Sequence, residues 1–471
     1  MIHPYWIENK TSTGSVPVID RSDSDTSLRS YTNLPGFSPP NSGCWTTARI
    51  CDDFCGAERS SAAIVESSDH KAIELAHRVT TAGKLNRLSS ATPFAPNKTA
   101  MKSQYHIEDT AQIISPALVV FRDLVEENLR MMVAIAGDAQ RLRPHCKTHK
   151  MREVVQMQLS QGIVKHKCAT FAEAEMLATT GVQDVFLAYN LVGPNIARAV
   201  DFRQRFPGVT LSVTADHADP IQQLGQAMAA EKITIEVLLD IDTGQHRTGL
   251  PVGDMARQLY QQIAQTDGLI PGGLHVYDGQ NHQVDVDERR QAVRVCWDSV
   301  AAFRDALVDS GHPVPRIVAG GTGSFPLFAE LSDNTIELSP GTCVFHDTGY
   351  EENFPDLDFQ QAAVVLTRVV SRPTANRVTF DLGYKAVASD PPAGGRLSFP
   401  EIPDAVEVLQ NEEHLVIETA ESERFTPGCV QLTIPRHICP TSALHKQAYV
   451  VSGGKIDGTW TVAARDRQLN I

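Results

Sequence analysis

The sequence predicts an α/β protein: a TIM-type (β/α)8 barrel followed by an all-β domain. Three observations predict it. Short apolar runs alternate with helix-periodic stretches from about residue 115, the helical pattern stops near residue 355 while the strand pattern continues, and the first hundred residues carry neither pattern. Strands alternating with helices imply a parallel sheet. Eight strand–helix units after the first strand suggest a closed barrel. An open doubly wound sheet is the rival, and the lack of Gly-x-Gly-x-x-Gly after the first barrel strand counts against it.

Residues 1–103 are rich in Ser, Thr, Pro, Asn and Asp, and 22–40 reads as disordered on composition. Only 61–85 carries a weak helical pattern, through Ile64, Ile73, Leu75 and Val79. Met101 opens a stretch resembling an ordinary protein start. The leader is therefore expected to be poorly structured, or to reflect a start assigned too far upstream. Residues 104–354 are expected to form the barrel. Its strands are expected at 142–146, 163–169, 184–189, 209–214, 234–240, 273–277, 316–319 and 335–338. Helices are expected at 124–137, 152–161, 172–180, 195–206, 220–230, 252–265, 287–310 and 325–331. Residues 355–471 are expected to be all-β, with strands at 362–370, 377–381, 414–418, 431–434, 448–451 and 460–462 and no helix between them. The apolar run 117–121 is free to pair with this domain, which would make it discontinuous in sequence.

Composition excludes several classes. A net charge of −14 argues against a duplex nucleic-acid binder. No apolar run approaches the roughly 20 residues that span a bilayer, and the first ten residues do not read as a secretory signal. Nine scattered cysteines, an odd number, fit a reducing cytoplasm better than a disulfide framework. Cys44, Cys51 and Cys55 match no common zinc spacing.

The chemistry concentrates in a few motifs. Lys147 lies in Arg141-Leu-Arg-Pro-His-Cys-Lys-Thr-His-Lys150 at the end of the first barrel strand, where barrel active sites cluster. Its cationic neighbours should lower its pKa and favour the neutral amine that a Schiff base requires. A solvated surface lysine is the alternative. The turn Gly320-Gly-Thr-Gly-Ser324 follows the seventh strand and precedes a helix. There the amides of Gly321, Thr322, Gly323 and Ser324 are placed for a phosphate, or the glycines only make a turn. Arg247 follows the fifth strand and either faces a pyridine nitrogen or pairs with Asp242. Alternation puts His275 and Tyr277 on one face of the sixth strand, and His282 follows in a loop as a candidate general base. His437 and Cys439, bracketed by Pro435 and Pro440, share a face if the segment is extended. Imidazole with thiolate favours zinc, and two protein ligands leave open positions.

Together these residues resemble the D-threonine aldolase / D-serine dehydratase family, fold-type III pyridoxal-phosphate enzymes akin to alanine racemase. The resemblance covers about residues 105–471. It rests on Arg143–Lys150, Asp242–Gly249, Gly320–Gly323, Glu337-Leu-Ser-Pro-Gly341 and Pro435–Thr441. It implies that Lys147 carries pyridoxal 5'-phosphate and that Gly320–Ser324 holds the phosphate. It further implies that Arg247 approaches the ring nitrogen, with Tyr277 also at the cofactor, and that His437 and Cys439 bind a divalent metal, zinc or manganese. The implied protein is a cytoplasmic homodimer acting on small D-amino acids bearing a β-hydroxyl, with no nucleic-acid or membrane partner. The aldolase branch usually has His-x-Asp where this chain has His-x-Cys, a feature of the zinc-dependent dehydratases. The loop Tyr277-Asp-Gly-Gln-Asn-His282 looks more like the aldolases. The expectation is a D-threonine-aldolase-like lyase giving glycine and an aldehyde. A D-serine dehydratase is the first alternative, then an amino-acid racemase or a non-catalytic cofactor carrier.

Overall fold

The computed structural model describes residues 104–471. The expectations for the leader, its weak helix and Cys44, Cys51 and Cys55 lie outside the described residues. Among the described residues no helix is long and apolar enough to cross a membrane.

Strands β2 (Lys165–Cys168), β3 (Asp184–Asn190), β4 (Thr210–Ala215), β5 (Ile235–Ile241), β6 (Leu269–Val276), β7 (Ile317–Ala319) and β8 (Ile336–Leu338) form one parallel sheet in sequence order. Helices α1 (Arg122–Ala136), α2 (Arg152–Ser160), α3 (Phe171–Thr179), α4 (Pro194–Arg205), α5 (Ala218–Ala230), α6 (Asp254–Gln265), α7 (Val286–Asp309) and α8 (Phe325–Ala329) alternate with them. Local chemistry sets their ends. Thr170 accepts from the Glu173 amide at the start of α3, Asp285 accepts from two amides at the start of α7, and Gly137 closes α1 in the left-handed region.

The expected strand 142–146 is present in position but is not a continuous ladder. It bridges Leu338 on one side and Lys167 on the other. The Arg143 amide reaches the Leu338 carbonyl at 2.7 Å, and the Cys146 and Lys167 amides bond across at 2.9 Å each. Pro144 supplies no N–H, so this eighth stave closes the barrel through isolated bridges.

The barrel interior is layered, as side-chain alternation requires. At the base, fully buried Arg143 bonds Asp184 at 2.7 and 2.9 Å and Glu337 at 2.5 Å, while Lys165 reaches Glu337 at 2.8 Å and Arg316 pairs with Glu236. Phe186, Leu238 and Val318 form an apolar belt in the interior. Above the belt a polar cavity opens.

After α9 (Thr348–Asn353) the chain forms β9 (Ala363–Thr374), β10 (Arg377–Phe380), β11 (Leu397–Ser398), β12 (Val406–Gln410), β13 (Leu415–Glu418), β14 (Val430–Pro435), β15 (Gln447–Ser452) and β16 (Lys455–Thr461). The fully apolar β1 (Ala117–Phe121) lies inside this sheet, antiparallel to β9 and parallel to β15. Two points correct the sequence reading. Strands β11 and β12 are additional, and a helix, α10 (Ile438–Leu444), interrupts the β-domain. Its seven residues, Ile-Cys-Pro-Thr-Ser-Ala-Leu, make barely two turns, too short to show a helical period.

Candidate active site

The cavity at the C-terminal ends of the barrel strands has a volume of about 520 Å³. Lys147, Lys167, Asp240, Arg247, His275 and Tyr277 line it, together with His145, Gly321, Thr322, Ser339 and Thr342. The Tyr277 ring centroid lies 5.0 Å from the Arg247 guanidinium carbon and 5.7 Å from Lys167 Nζ. Asp242 pairs with His246 at 2.7 Å rather than with Arg247. Among the described residues Arg247 makes no ion pair, which leaves its guanidinium to the cavity.

The like charges expected around Lys147 are arranged differently from the sequence reading. Arg143 faces the barrel base, Lys150 pairs with Glu173, and buried His149 packs edge-on to Phe345. The cations that share the cavity with Lys147 are Lys167, from β2, and Arg247. The His145 Nδ1 accepts from the Lys147 amide at 3.2 Å. Burial, with the charges of Lys147 and Lys167, holds that imidazole well below the usual histidine range.

The glycine turn divides its residues. Gly321 and Thr322 line the cavity, whereas Gly323 and Ser324 do not. A Cβ on Gly323 would stand 2.4 Å from the Phe354 ring. The Ser324 hydroxyl donates to Asp278 at 2.8 Å and accepts from the Gly321 amide at 3.1 Å, so it shapes the turn. Thr322 Oγ1 accepts from the amides of Gly341 and Cys343. Among the described residues the Thr322 and Gly323 amides find no acceptor, and the buried Ser339 hydroxyl in the cavity wall has no partner. Unpaired donors around a cationic cavity suit an aldehyde cofactor carrying a phosphate. Lys147 would hold its aldehyde.

His437 and Cys439 do not sit on an extended strand. His437 is the N-cap of α10 and Cys439 lies in its first turn. The two side chains are still neighbours, and each shifts the other's ionisation. Burial favours the neutral thiol, but the neighbouring His437 and the Lys147 charge override it and lower the Cys439 pKa. His437 is opposed by burial yet raised to about 9 by Cys439 and Asp390. Its Nδ1 meets Asp390 Oδ2 at 2.5 Å, which leaves Nε2 as the ring's remaining ligand atom. A cysteine whose ionisation is eased and a carboxylate-oriented imidazole fit a zinc-like ion. Cys439 Sγ lies 3.1 Å from Thr148 Oγ1 and 3.5 Å from Thr342 Oγ1, which brings the pair to the cavity.

A second cluster, His145, Cys146 and Glu173, has ligand atoms within 4.8 Å of one another. Glu173 already accepts from Lys150 and from the Ala169 amide, and burial pushes the Cys146 thiol far up. A protonated thiol beside an occupied carboxylate is a poor ligand set.

His282 is exposed and lines no part of the cavity, so the chain alone does not bring this candidate base to the site. The sequence reading missed Lys167, Asp240 and Ser339 as site residues and left His275 without a role. Their signal was alternation: each occupies an inward position at the top of its stave.

The comparisons agree with this geometry. A family model described as alanine racemase, N-terminal domain, matches residues 121–348, and one described as putative serine dehydratase domain matches 362–451. The D-threonine aldolase of Arthrobacter sp is 32% identical over 362 residues, covering 75% of this chain and 93% of that protein. The D-threo-3-hydroxyaspartate dehydratase of Delftia sp. is 26% identical, covering 70% of this chain and 92% of that protein. The solved D-threonine aldolase of Filomicrobium marinum superposes with a TM-score of 0.69 at 31% identity, over 75% of this chain and 95% of that one. The chain therefore belongs to the D-threonine aldolase / D-serine dehydratase family of pyridoxal-phosphate-dependent lyases, built on the alanine-racemase-like barrel.

Proposed function

We propose that this chain is a divalent-metal-dependent lyase of the D-threonine aldolase type, cleaving D-β-hydroxy-amino acids to glycine and an aldehyde. The observation that carries the reading is the 3.1 Å approach of Cys439 Sγ to Thr148, the residue after Lys147. It joins the thiolate–imidazole pair of the β-domain to the amine of the barrel. Bound there, pyridoxal phosphate supplies an electron sink at the α-carbon, and the metal supplies a Lewis acid for the β-oxygen.

The side chains do the rest. Lys147, which lines the cavity, would hold the cofactor through its aldehyde. Arg247, stacked on Tyr277, keeps a fixed cation at the cavity wall. Because His145 Nδ1 accepts the Lys147 amide, its Nε2 carries the proton, which makes this ring a donor to a substrate oxygen and not a base. His437 and Cys439 would hold the ion, and Asp390 fixes the imidazole tautomer for it.

The thiolate favours one second reading, a D-serine-dehydratase type reaction with zinc, in which Lys147 Nζ removes the α-proton and a keto acid and ammonia result. The test incubates the protein with D-threonine, D-serine and D-3-hydroxyaspartate, after chelation and after adding Zn²⁺ or Mn²⁺. Metal-dependent aldehyde release supports the aldolase, ammonia release the dehydratase. Full turnover in the chelated protein would overturn the metal assignment.

A further inference from the structure

A chain of three buried polar groups runs along the cavity wall and takes no part in the mechanism above. His275 Nδ1 lies 2.7 Å from Asp240 Oδ1, and His275 Nε2 lies 2.9 Å from Lys167 Nζ. An ionised carboxylate only accepts, so Nδ1 carries the ring proton and Nε2 presents its lone pair. The Lys167 amine therefore donates to His275, and its remaining positions are left for the cavity. Its direction is fixed from below and beside: Nζ stands 5.9 Å from the Phe186 centroid and 5.7 Å from that of Tyr277. Lys167, His275 and Asp240 all line the cavity, at 4%, 6% and 5% exposure.

The charges facing this amine do not balance. Lys147, Arg247 and the His145 and His275 rings stand near it on the basic side, and Asp240 and Asp278 on the acidic side. Asp240 is engaged by His275, and Asp278 by Ser324 and Asn281. Among the described residues, two lysines and an arginine thus share one cavity whose single lining carboxylate, Asp240, is already paired with His275. Such a site is completed by an anionic ligand.

We propose that Lys167 is a ligand-binding residue of the active site, presenting an N–H from the Asp240–His275–Lys167 chain to an anionic oxygen of the cavity's occupant. That oxygen belongs either to the ring hydroxyl of the cofactor or to the carboxylate of the amino-acid substrate. The inference rests on the cavity being the pyridoxal-phosphate and amino-acid site. Burial, reinforced by the Lys147 charge, lowers the Lys167 ammonium to about 7, so an arriving anion would restore its proton. The sequence signal is Lys165-His-Lys167 on β2, where the first lysine neutralises Glu337 at the base and the second stands one layer higher.

The test compares Lys167→Met and Lys167→Arg with the wild type. In one arm, cofactor-free protein is titrated with pyridoxal phosphate and the visible spectrum of the complex is followed against pH. In the other, KM and kcat are measured with whichever of D-threonine, D-serine and D-3-hydroxyaspartate the wild type turns over. A tenfold or greater loss of cofactor affinity in Lys167→Met, or a shift of at least one pH unit in the spectral transition, assigns the oxygen to the cofactor. An unchanged spectrum with KM raised tenfold or more and kcat within threefold assigns it to the substrate. Lys167→Arg is expected to recover part of either loss. Should Lys167→Met fail to fold, His275→Gln carries the test, with a change in the same direction of at least threefold. Cofactor affinity, spectrum and KM all within twofold of wild type in a folded variant overturn the inference and leave the functional reading standing. A wild type that takes up no pyridoxal phosphate overturns the functional reading itself.

Discussion

Lys147 is the residue on which the proposed chemistry turns, because a carbonyl cofactor needs one amine at the barrel mouth. Lys147→Ala is expected to abolish the visible absorbance of bound cofactor and to lower kcat/KM by roughly a thousandfold or more. A persistent absorbance band that borohydride fixes to another lysine would sink the assignment. Asp390 acts through His437, whose Nδ1 it holds. Asp390→Asn is expected to weaken metal affinity about 10- to 100-fold, measured by competition with a chelator, with cofactor uptake unchanged. Much of the site was legible at this scale. Lys147 and Tyr277 follow directly on barrel strands and Arg247 lies in the loop after the fifth, and a polar residue at such a position has few structural reasons to be there. Lys167 was not legible, because in Lys165-His-Lys167 only barrel closure turns the odd positions inward. The placement of His282 failed for the opposite reason: spacing fixes how far a loop residue stands from its strand, not which way the loop turns.

Short elements hold the two halves of the site in register. Asp347 is buried at the junction between barrel and β-domain. One oxygen accepts from the Tyr350 amide at the start of α9, and the other accepts from the Ile438 amide at 2.9 Å, at the start of the helix that carries Cys439. Asp347→Ala leaves both amides unpaired in a buried site, and the expected loss is about 2 kcal/mol with a parallel drop in metal affinity. Asp347→Asn keeps one acceptor and should recover part of it. Equal urea midpoints for wild type and Asp347→Ala would remove the clasp from the account. On β6, Gly273 has φ +106° and a Cβ there would meet the Arg316 carbonyl at 2.0 Å. Gly273→Ala is expected to cost roughly 3 kcal/mol by urea unfolding, since both the φ and the strand approach forbid a side chain. Element order was legible because the helices are amphipathic and the strands apolar. The stave 142–146 was harder: its proline and its inward Arg143 and His145 interrupt the ladder while keeping the position. Helix α10 was illegible because it is capped and clasped by tertiary contacts, not specified by its own period.

At the scale of the molecule, the barrel stores its polar groups in two layers separated by an apolar belt, and this sets its response to acid. His149 and His166 are held near pKa 3 by burial, His346 near 4, and His145 well below its usual range. An unfolded imidazole titrates near 6.5, so between those values the unfolded chain binds more protons than the native one. The share of stability owed to these buried imidazoles is therefore complete above about pH 6.5 and is lost as pH falls below it. Asp347 runs the other way: burial raises it to about 6, so the native state takes up a proton there first and offsets part of one histidine. At the base, burial would raise Asp184 and Glu337, but Arg143 holds both below the usual carboxylate range, and their share is lost only at lower pH. The net expectation is a fall of roughly 4 kcal/mol in unfolding free energy between pH 7.5 and 5.5, read from urea titrations. His166→Gln should flatten that slope by close to one proton, because His166 is fully buried and its Nε2 needs only Gln158 as a partner. A slope of zero over this window would mean that the buried imidazoles are charged in the native state, and the layered neutral interior would have to be abandoned.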